Sequence, residues 1–227
     1  MKACLFDIDG TLIQTGGAGQ LAFAQTFAED LGVPDLSSEI SFSGRSDRAI
    51  AHDLFLAHGL EATDATWNAF LAGYTRRLPA ALAERQGAVL PGVLPLIERL
   101  EAMDGVLVGL LTGNVVEGAR IKLSHFGLWE RFPFGGFGDA HCDRSAIAEA
   151  ARAAARERFH RTDISPVETI VVIGDTEHDI RCARSIGAKA VAVPTGFVDR
   201  AALAAESPDL LVETLEDQEQ IVAWLAA

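Results

Sequence analysis

Cysteine and basic residues are scarce in this 227-residue chain, and long apolar runs are lacking. The three cysteines, Cys4, Cys142 and Cys182, form an odd number without the paired spacing of a disulfide framework, which predicts a reducing compartment. No apolar run reaches the roughly 18 residues that a membrane-spanning helix needs. Met1-Lys2 leads directly into an apolar strand pattern, without the features of a signal peptide. We therefore expect a cytoplasmic protein that does not associate with a membrane.

Positive charge is outweighed by negative charge along the chain. Its 19 Lys and Arg residues stand against 32 Asp and Glu residues, for a formal net charge of −13. Nucleic acids and anionic membranes attract proteins largely through positive charge, so this balance disfavours both as partners. A small molecule is the expected partner, and the sequence does not indicate the oligomeric state. Hydrophobic residues make up 49% of the chain, enough for a well-packed core in one or two domains.

Two carboxylates follow the first apolar run of the chain. Residues Ala3–Phe6 have the pattern of a buried strand, and Asp7, Asp9 and Gly10 come directly after it. Open α/β sheets bind ligands at the carboxyl ends of their strands. Neighbouring carboxylates resist ionisation unless a cation or a proton lies between them, and oxygen ligands of this kind suit Mg²⁺. The alternative interpretation is a strand that ends in a polar turn, since Asp-Gly marks turns generally.

The rest of the chain divides into two patterns. Apolar residues recur at helical spacing up to about Gly87, and from Val89 onward short apolar strands alternate with helices. The alternation predicts a Rossmann-like parallel sheet flanked by helices. The helical stretch predicts an all-helical domain inserted after the first strand. The predicted boundaries are residues 1–14 and 88–227 for the α/β core and residues 15–87 for the insert.

Two later apolar strands also end in polar residues. Val106–Leu111 is followed by Thr112-Gly113-Asn114, and Ile170–Ile173 is followed by Gly174-Asp175. Parallel strands place their carboxyl ends along one edge of a sheet, so we expect these groups to meet the first pair of carboxylates. Each alone could be a strand-to-helix turn with a helix cap. Three such ends, with two carboxylate clusters and a hydroxyl, predict a functional site.

The run Asp7-Ile8-Asp9-Gly10-Thr11-Leu12 resembles the D-x-D-G-T-L motif of the haloacid dehalogenase-like hydrolase superfamily, most of whose members are phosphatases. Thr112 resembles the Ser or Thr of that superfamily's second motif, and Gly174–Asp179 resembles the G-D-x-x-x-D of its fourth. The resemblance implies a Mg²⁺-dependent phosphatase with a helical cap. Phosphoglycolate phosphatase-like enzymes are the nearest subgroup.

The resemblance also implies residue roles. Asp7 would be the nucleophile that forms an aspartyl-phosphate, and Asp9 would act as general acid and then as general base. Mg²⁺ would be held by Asp7, the backbone carbonyl of Asp9 and Asp175. Asp179 would bind the ion directly or through water, or orient other ligands. The phosphoryl group would be bound by the Thr112 hydroxyl, the close backbone at Gly113, and Asn114.

The third motif of the superfamily is a Lys or Arg near a helix start, and the sequence offers two candidates. Arg144 precedes a helix predicted from Ser145, and a helix N-terminus also attracts anions. Lys122 lies within the preceding helix, near the polar side of its apolar stripe, which predicts a solvated side chain. We assign the role to Arg144, although Lys is commoner at this position in the superfamily.

One stretch of the helical insert offers more than helix capping. Ser43-Gly44-Arg45-Ser46-Asp47 resembles a Gly-Arg segment of the superfamily's helical caps. Arg45 would reach the non-reacting end of the substrate. The alternative is a helix capped by Ser46 or Asp47, with a solvated arginine beside it.

These features predict a phosphatase that acts on a small phosphorylated metabolite, phosphoglycolate-like or a sugar phosphate. Asp9 argues against a dehalogenase, since that reaction produces no alkoxide to protonate. A phosphosugar mutase of the β-phosphoglucomutase type shares all four motifs and is the alternative enzyme. A non-catalytic regulatory module that is only phosphorylated on Asp7 is the third hypothesis.

Overall fold

The structure, a computed structural model, describes residues 1–160 and 169–226. The strands, numbered along the chain, are β1 (Lys2–Phe6), β2 (Ile13–Gln14), β3 (Ala88–Val89), β4 (Val106–Leu111), β5 (Gly135–Gly136), β6 (Thr169–Gly174), β7 (Lys189–Ala192) and β8 (Leu210–Leu211). The α-helices are α1 (Ala18–Asp30), α2 (Asp47–Ala57), α3 (Asp64–Glu84), α4 (Val93–Glu101), α5 (Val116–His125), α6 (Arg144–His160), α7 (Glu177–Ser185), α8 (Arg200–Ala205) and α9 (Gln218–Ala226). Among the described residues, none of the helices is both long and apolar enough to cross a membrane.

A six-stranded parallel sheet in the order β5-β4-β1-β6-β7-β8 forms the centre of the protein. Residues of β1 alternate between its two faces. Cys4 and Phe6 pack into an apolar cluster with α4, α5 and α9, whereas Ala3 and Leu5 pack into a second cluster with α6 and α7. Burial on both faces explains why this strand is apolar throughout. The predicted Rossmann-like α/β fold is confirmed.

The register of the sheet brings the polar strand ends together. Phe6 of β1 pairs with Leu110 of β4 on one side and with Ile173 of β6 on the other. Asp7 therefore follows the central strand where the chains after β4 and β6 also leave the sheet. This topology places the predicted functional groups along one edge.

Helices α1, α2 and α3 lie between β2 and β3 and share an apolar cluster of their own, in which the rings of Phe23 and Phe27 both pack at a tilt against Phe70. Strands β2 and β3 pair antiparallel, so the two chain segments that lead into and out of this helical insert run side by side. We refer to α1–α3 and their loops as the cap. The exact boundaries between cap and core stay a prediction.

The start of α2 is docked on the loop that follows β4. The Asp47 backbone N–H donates to the Gly113 carbonyl at 2.8 Å, and the Asp47 carboxylate accepts from the Val115 N–H at 2.9 Å. Val115 is the N-cap residue of α5 and supplies no side-chain cap itself. A carboxylate of the cap therefore satisfies the first turn of a core helix. Ser46 caps α2 in turn, accepting from the Ala49 N–H.

Candidate active site

Three buried carboxylates meet at the edge of the sheet. Asp7 follows β1, Asp175 follows β6, and Asp179 lies in the first turn of α7. One oxygen of each lies within 4.8 Å of the others, so the group could hold a metal ion. Strand ends that are far apart in sequence thus supply one cluster, as the strand pattern predicts. The Asp9 side chain is not part of it.

The electrostatics of this cluster favour a bound cation. Burial and the neighbouring Asp179 carboxylate raise the pKa of Asp7 from 3.8 to about 7, although Arg144 opposes the shift. The same two causes raise the pKa of Asp175 well above its usual value. Carboxyl groups in such surroundings take up a proton unless a cation replaces it. An all-oxygen set of this kind fits Mg²⁺.

Asp179 holds its neighbours as well as facing the cluster. Its Oδ2 accepts hydrogen bonds from the backbone N–H and the hydroxyl of Thr176, which closes a capping box at the start of α7. Its Oδ1 accepts from Arg144 at 2.5 Å. Both oxygens are therefore engaged, which favours an orienting role.

Gly10 allows Asp175 to come close to the first strand end. Its φ is +90°, and a Cβ added there would lie 2.4 Å from Asp175 Oδ2. Any side chain at this position would displace the carboxylate. The next residue, Thr11, donates its hydroxyl to Asp175 Oδ1 at 2.9 Å. The Gly-Thr pair that follows the first two aspartates therefore fixes the third.

Asp9 faces the other side of the site. Its Oδ2 accepts from Asn114 Nδ2 at 2.8 Å, and the same amide also donates to the Thr112 hydroxyl oxygen. Thr112 is completely buried behind Asn114 and does not itself line the cavity, whereas Gly113 and Asn114 do. Thr112 and Asn114 thus form one hydrogen-bonded unit at the end of β4.

Arg144 lies beside the carboxylate cluster. One guanidinium nitrogen is 4.0 Å from Asp7 and donates to Asp179, and the other donates to the Gly44 carbonyl of the cap at 3.0 Å. Burial works against its charge, but Asp179 and Asp7 outweigh burial and raise the pKa of Arg144. The predicted cation is thus next to the predicted nucleophile; its catalytic role stays a prediction.

The prediction of a solvated Lys122 is wrong. Its side chain is buried, and Nζ donates to Asp9 Oδ2 and to Asn114 Oδ1, both at 2.6 Å. Burial opposes its charge, yet Asp9 and Asp47 more than compensate and raise the pKa of Lys122. The helix spacing indicates only the side of the helix, since Lys122 lies three residues after Ala119 and four before Phe126; it does not indicate the partners of the ammonium group. The site therefore has two cations, one beside Asp7 and one beside Asp9.

Arg45 lies at the cavity wall but is already paired. Its guanidinium donates to Asp53 at 2.6 Å and to the carbonyls of Ser41 and Ala49 at 3.4 Å. Its backbone packs on the second predicted motif, where a Cβ added at Gly113 would lie 2.3 Å from the Arg45 carbonyl oxygen. The role of Arg45 in substrate binding stays a prediction.

A cavity of about 420 Å³ lies between cap and core. The core contributes Asp7, Asp9 and Asp175 together with both cations. The cap contributes an apolar wall with Phe23, Phe42 and Ile50. A small molecule could place an anionic end on the core while the cap covers the remainder.

The comparison with known families agrees with this geometry. Residues 4–184 match the family described as haloacid dehalogenase-like hydrolase. This chain belongs to that family. Relatives named as phosphatases match the chain as well, and the predicted class of enzyme, a phosphatase, is confirmed at that level.

Curated relatives include phosphoglycolate phosphatases. A phosphoglycolate phosphatase from Synechococcus elongatus is 29% identical over 228 residues, with 99% of each chain covered. A phosphoglycolate phosphatase from Cereibacter sphaeroides is 30% identical over 202 residues, with 87% of each chain covered. Among solved structures, a mutant of CbbY from Rhodobacter sphaeroides in complex with xylulose-(1,5)bisphosphate has a TM-score of 0.72 at 23% identity, over 95% of each chain. That last likeness concerns the fold.

Proposed function

We propose that this protein is a Mg²⁺-dependent phosphatase that hydrolyses a small phosphate monoester through phosphorylation of Asp7. The observation that carries the proposal is the position of Asp7, buried with Asp175 and Asp179 and 4.0 Å from Arg144. Two of the relatives are named phosphoglycolate phosphatase, so an ester with a short acidic leaving group is the first substrate to test.

Asp7 and Asp175 would hold the metal ion, together with the backbone carbonyl of Asp9. Asp179 would bind it or orient the other ligands, since its oxygens also serve Thr176 and Arg144. When bound, Mg²⁺ supplies positive charge against the phosphoryl oxygens.

The two carboxylates of the first motif, Asp7 and Asp9, would have different roles in the reaction. An Asp7 oxygen forms a bond to phosphorus as the bond from phosphorus to the leaving oxygen breaks, and Asp9 gives its proton to the leaving alkoxide. Water then attacks phosphorus, Asp9 takes a proton from it, and the bond to Asp7 breaks to release inorganic phosphate. The hydrogen bonds from Lys122 and Asn114 both go to Asp9 Oδ2, so Oδ1 would carry this proton.

The surrounding donors would stabilise the charge of the phosphoryl group. Arg144 is held beside Asp7 by hydrogen bonds to Asp179 and to the cap carbonyl of Gly44, so its guanidinium is oriented before a substrate binds. On this side the backbone at Gly113 lines the cavity, and the hydrogen bond between Asn114 and Thr112 would hold the loop that carries it. Donors fixed in advance need no rearrangement during the reaction.

A screen of phosphate esters with Mg²⁺ and then with excess chelator tests the proposal. We expect release of inorganic phosphate that requires the metal. Asp7→Asn should lower turnover by at least about 10³-fold, because the nucleophile is lost. The exposed Asp104→Asn is the matched control and should behave as wild type.

Three outcomes would contradict parts of this proposal. Full activity in excess chelator would refute the metal, and substantial turnover by Asp7→Asn would refute the nucleophile. Transfer of phosphate within a sugar phosphate, without release of inorganic phosphate, would identify a mutase instead.

A further inference from the structure

Tyr74, the single tyrosine of the chain, carries a buried hydroxyl that the catalytic steps do not use. The residue is 1% exposed, lies on the inner side of α3 and lines the cavity between cap and core. Its ring packs on Phe23 and Phe70. Among the described residues, its hydroxyl has no hydrogen-bond partner. Burial of an unpaired hydroxyl is unfavourable, so the position suits a partner that arrives with a ligand.

Lys122 faces the same small space. A Cβ added at Gly19 would lie 3.5 Å from Lys122 Nζ and 3.9 Å from the Tyr74 hydroxyl oxygen. The two polar atoms therefore border one point above Gly19. Two of the three ammonium hydrogens serve Asp9 and Asn114, which leaves the third for a ligand.

The N-terminus of α1 forms the floor of this space. The helix is 13 residues long, its N-cap Gly17 offers no side-chain cap, and its first turn carries no acidic residue. Gly17, Gly19 and Gln20 line the cavity. The Ala18 N–H donates to the Thr15 carbonyl, and the residues that follow it, Gly19 and Gln20, lie at the cavity. First-turn N–H groups and the helix dipole favour an anion at such an end.

We propose that Tyr74, Lys122 and the first turn of α1 form an anion subsite for a carboxylate on the substrate's leaving group. The inference rests on the proposed function, because Asp9, the acid for the leaving oxygen, is bound by Lys122 and so lies next to the subsite. The carboxylate would then be only a few bonds from the ester oxygen. A single ammonium whose charge is shared with Asp9 and Asp47 suits a monoanion better than a second phosphate.

Substrate pairs that differ only at the far end test this proposal. 2-Phosphoglycolate and ethyl phosphate share the ester and differ in a carboxylate against a methyl group. Wild type should have a higher kcat/KM for 2-phosphoglycolate than for ethyl phosphate. Tyr74→Phe should reduce this preference about tenfold, because a hydrogen bond to a charged group is lost, and the change should lie mainly in KM. Thr75→Val, which removes a hydroxyl outside the cavity on the same helix, should keep the preference.

Gly19→Ala provides a second variant that removes no functional group. Its methyl group would fill the space between Lys122 and Tyr74 at ordinary contact distances, and Gly19 does not adopt a positive φ, so the fold should tolerate it. We expect the same loss of preference with an unchanged melting temperature. An unchanged preference in both variants would overturn the subsite.

A binding measurement separates this proposal from the proposed function. In the Asp7→Asn protein with Mg²⁺, calorimetry should give tighter binding of 2-phosphoglycolate than of ethyl phosphate, and Tyr74→Phe should remove about tenfold of the difference. Equal binding of the two esters would overturn the subsite whatever the activity. Tighter binding of ethane-1,2-diyl bisphosphate than of 2-phosphoglycolate would overturn the carboxylate assignment. A carboxylate preference in binding, with no hydrolysis of any ester by wild type, would refute the phosphatase and support the subsite.

Discussion

Replacing Lys122 by methionine tests whether the second cation belongs to the active site. The substitution keeps the length of the side chain but removes the charge that Asp9 and Asn114 share at 2.6 Å. It also removes the positive charge that lowers the pKa of Asp47, which burial raises to about 6. Two carboxylates would then lose the cation that faces them.

The size of the effect follows from burial. The side chain of Lys122 is 5% exposed, whereas that of Asp9 is 40% exposed and partly screened by water. Breaking a fully buried ion pair costs about 3–5 kcal/mol. Because one partner here is partly solvated, we expect Lys122→Met to lower the free energy of unfolding by about 2 kcal/mol at pH 8. The loss should be smaller at pH 5, where more of Asp47 is protonated.

Lys122→Met should have a larger effect on kcat than on the free energy of unfolding. Lys122 orients both Asp9 and Asn114, and loss of one fixed charged donor typically lowers kcat by about 10²–10³-fold. Urea unfolding at pH 8 and pH 5, together with hydrolysis of p-nitrophenyl phosphate under Mg²⁺, measures both effects.

The matched control is Arg120→Met on the same helix. Arg120 forms an exposed pair with Glu117, so its loss should cost less than about 1 kcal/mol. If Lys122→Met behaves like this control in both stability and turnover, Lys122 is only a side chain beside the site and the reasoning is refuted.

Three further predictions concern the other groups of the site. Asp9→Asn should slow turnover by about 10²–10⁴-fold and leave Mg²⁺ affinity nearly intact, since a backbone carbonyl would be its metal ligand; a large loss of affinity in a metal titration would contradict this. The free energy of unfolding of the metal-free protein should fall between about pH 4 and pH 7, because the pKa of Asp7 is raised from 3.8 to about 7 and the unfolded chain gives up this proton first. Mg²⁺ should therefore raise the melting temperature more at pH 7.5 than at pH 5.5, and an equal rise at both would speak against Asp7 as a ligand. Arg45→Ala should lower kcat/KM for the natural substrate more than for p-nitrophenyl phosphate; equal losses on both would point to a damaged cap, since Arg45 also binds Asp53.

The meeting of the carboxylates could be predicted because it follows from topology alone. Asp7 and Asp175 each come directly after a buried parallel strand, and parallel strands can end only at the same edge. Arg144 is assigned from the resemblance and from its place before a helix predicted from Ser145, and in the structure it is the first residue of α6. Asp7 and Asp175 owe their positions to the order of strands, which apolar runs mark clearly.

The surroundings of Lys122 and Arg45 could not be predicted as readily. The spacing with Ala119 and Phe126 indicates an inward-facing side of α5, but Lys122 is buried because the cap helix α3 packs over α5, a contact between segments far apart in the chain. Arg45 is paired because Asp53 lies two helical turns further along the chain, a neighbour that competes with any ligand. In both cases a long cationic side chain had several possible partners, and only packing selects one.

The bond between Asp47 and Val115 has a consequence for the order in which the site is completed. The Val115 N–H at the start of α5 is bound by this cap carboxylate, whereas the Val116 N–H donates to Asp139, outside the cap. Helix α5 is also the helix that carries Lys122. If the cap lifts to admit a substrate, the Val115 N–H loses its carboxylate partner, and the start of the helix that carries Lys122 is held less firmly. Closure of the cap and stabilisation of the helix that carries Lys122 would then occur together. A substrate that holds the cap closed would also fix the cation beside Asp9.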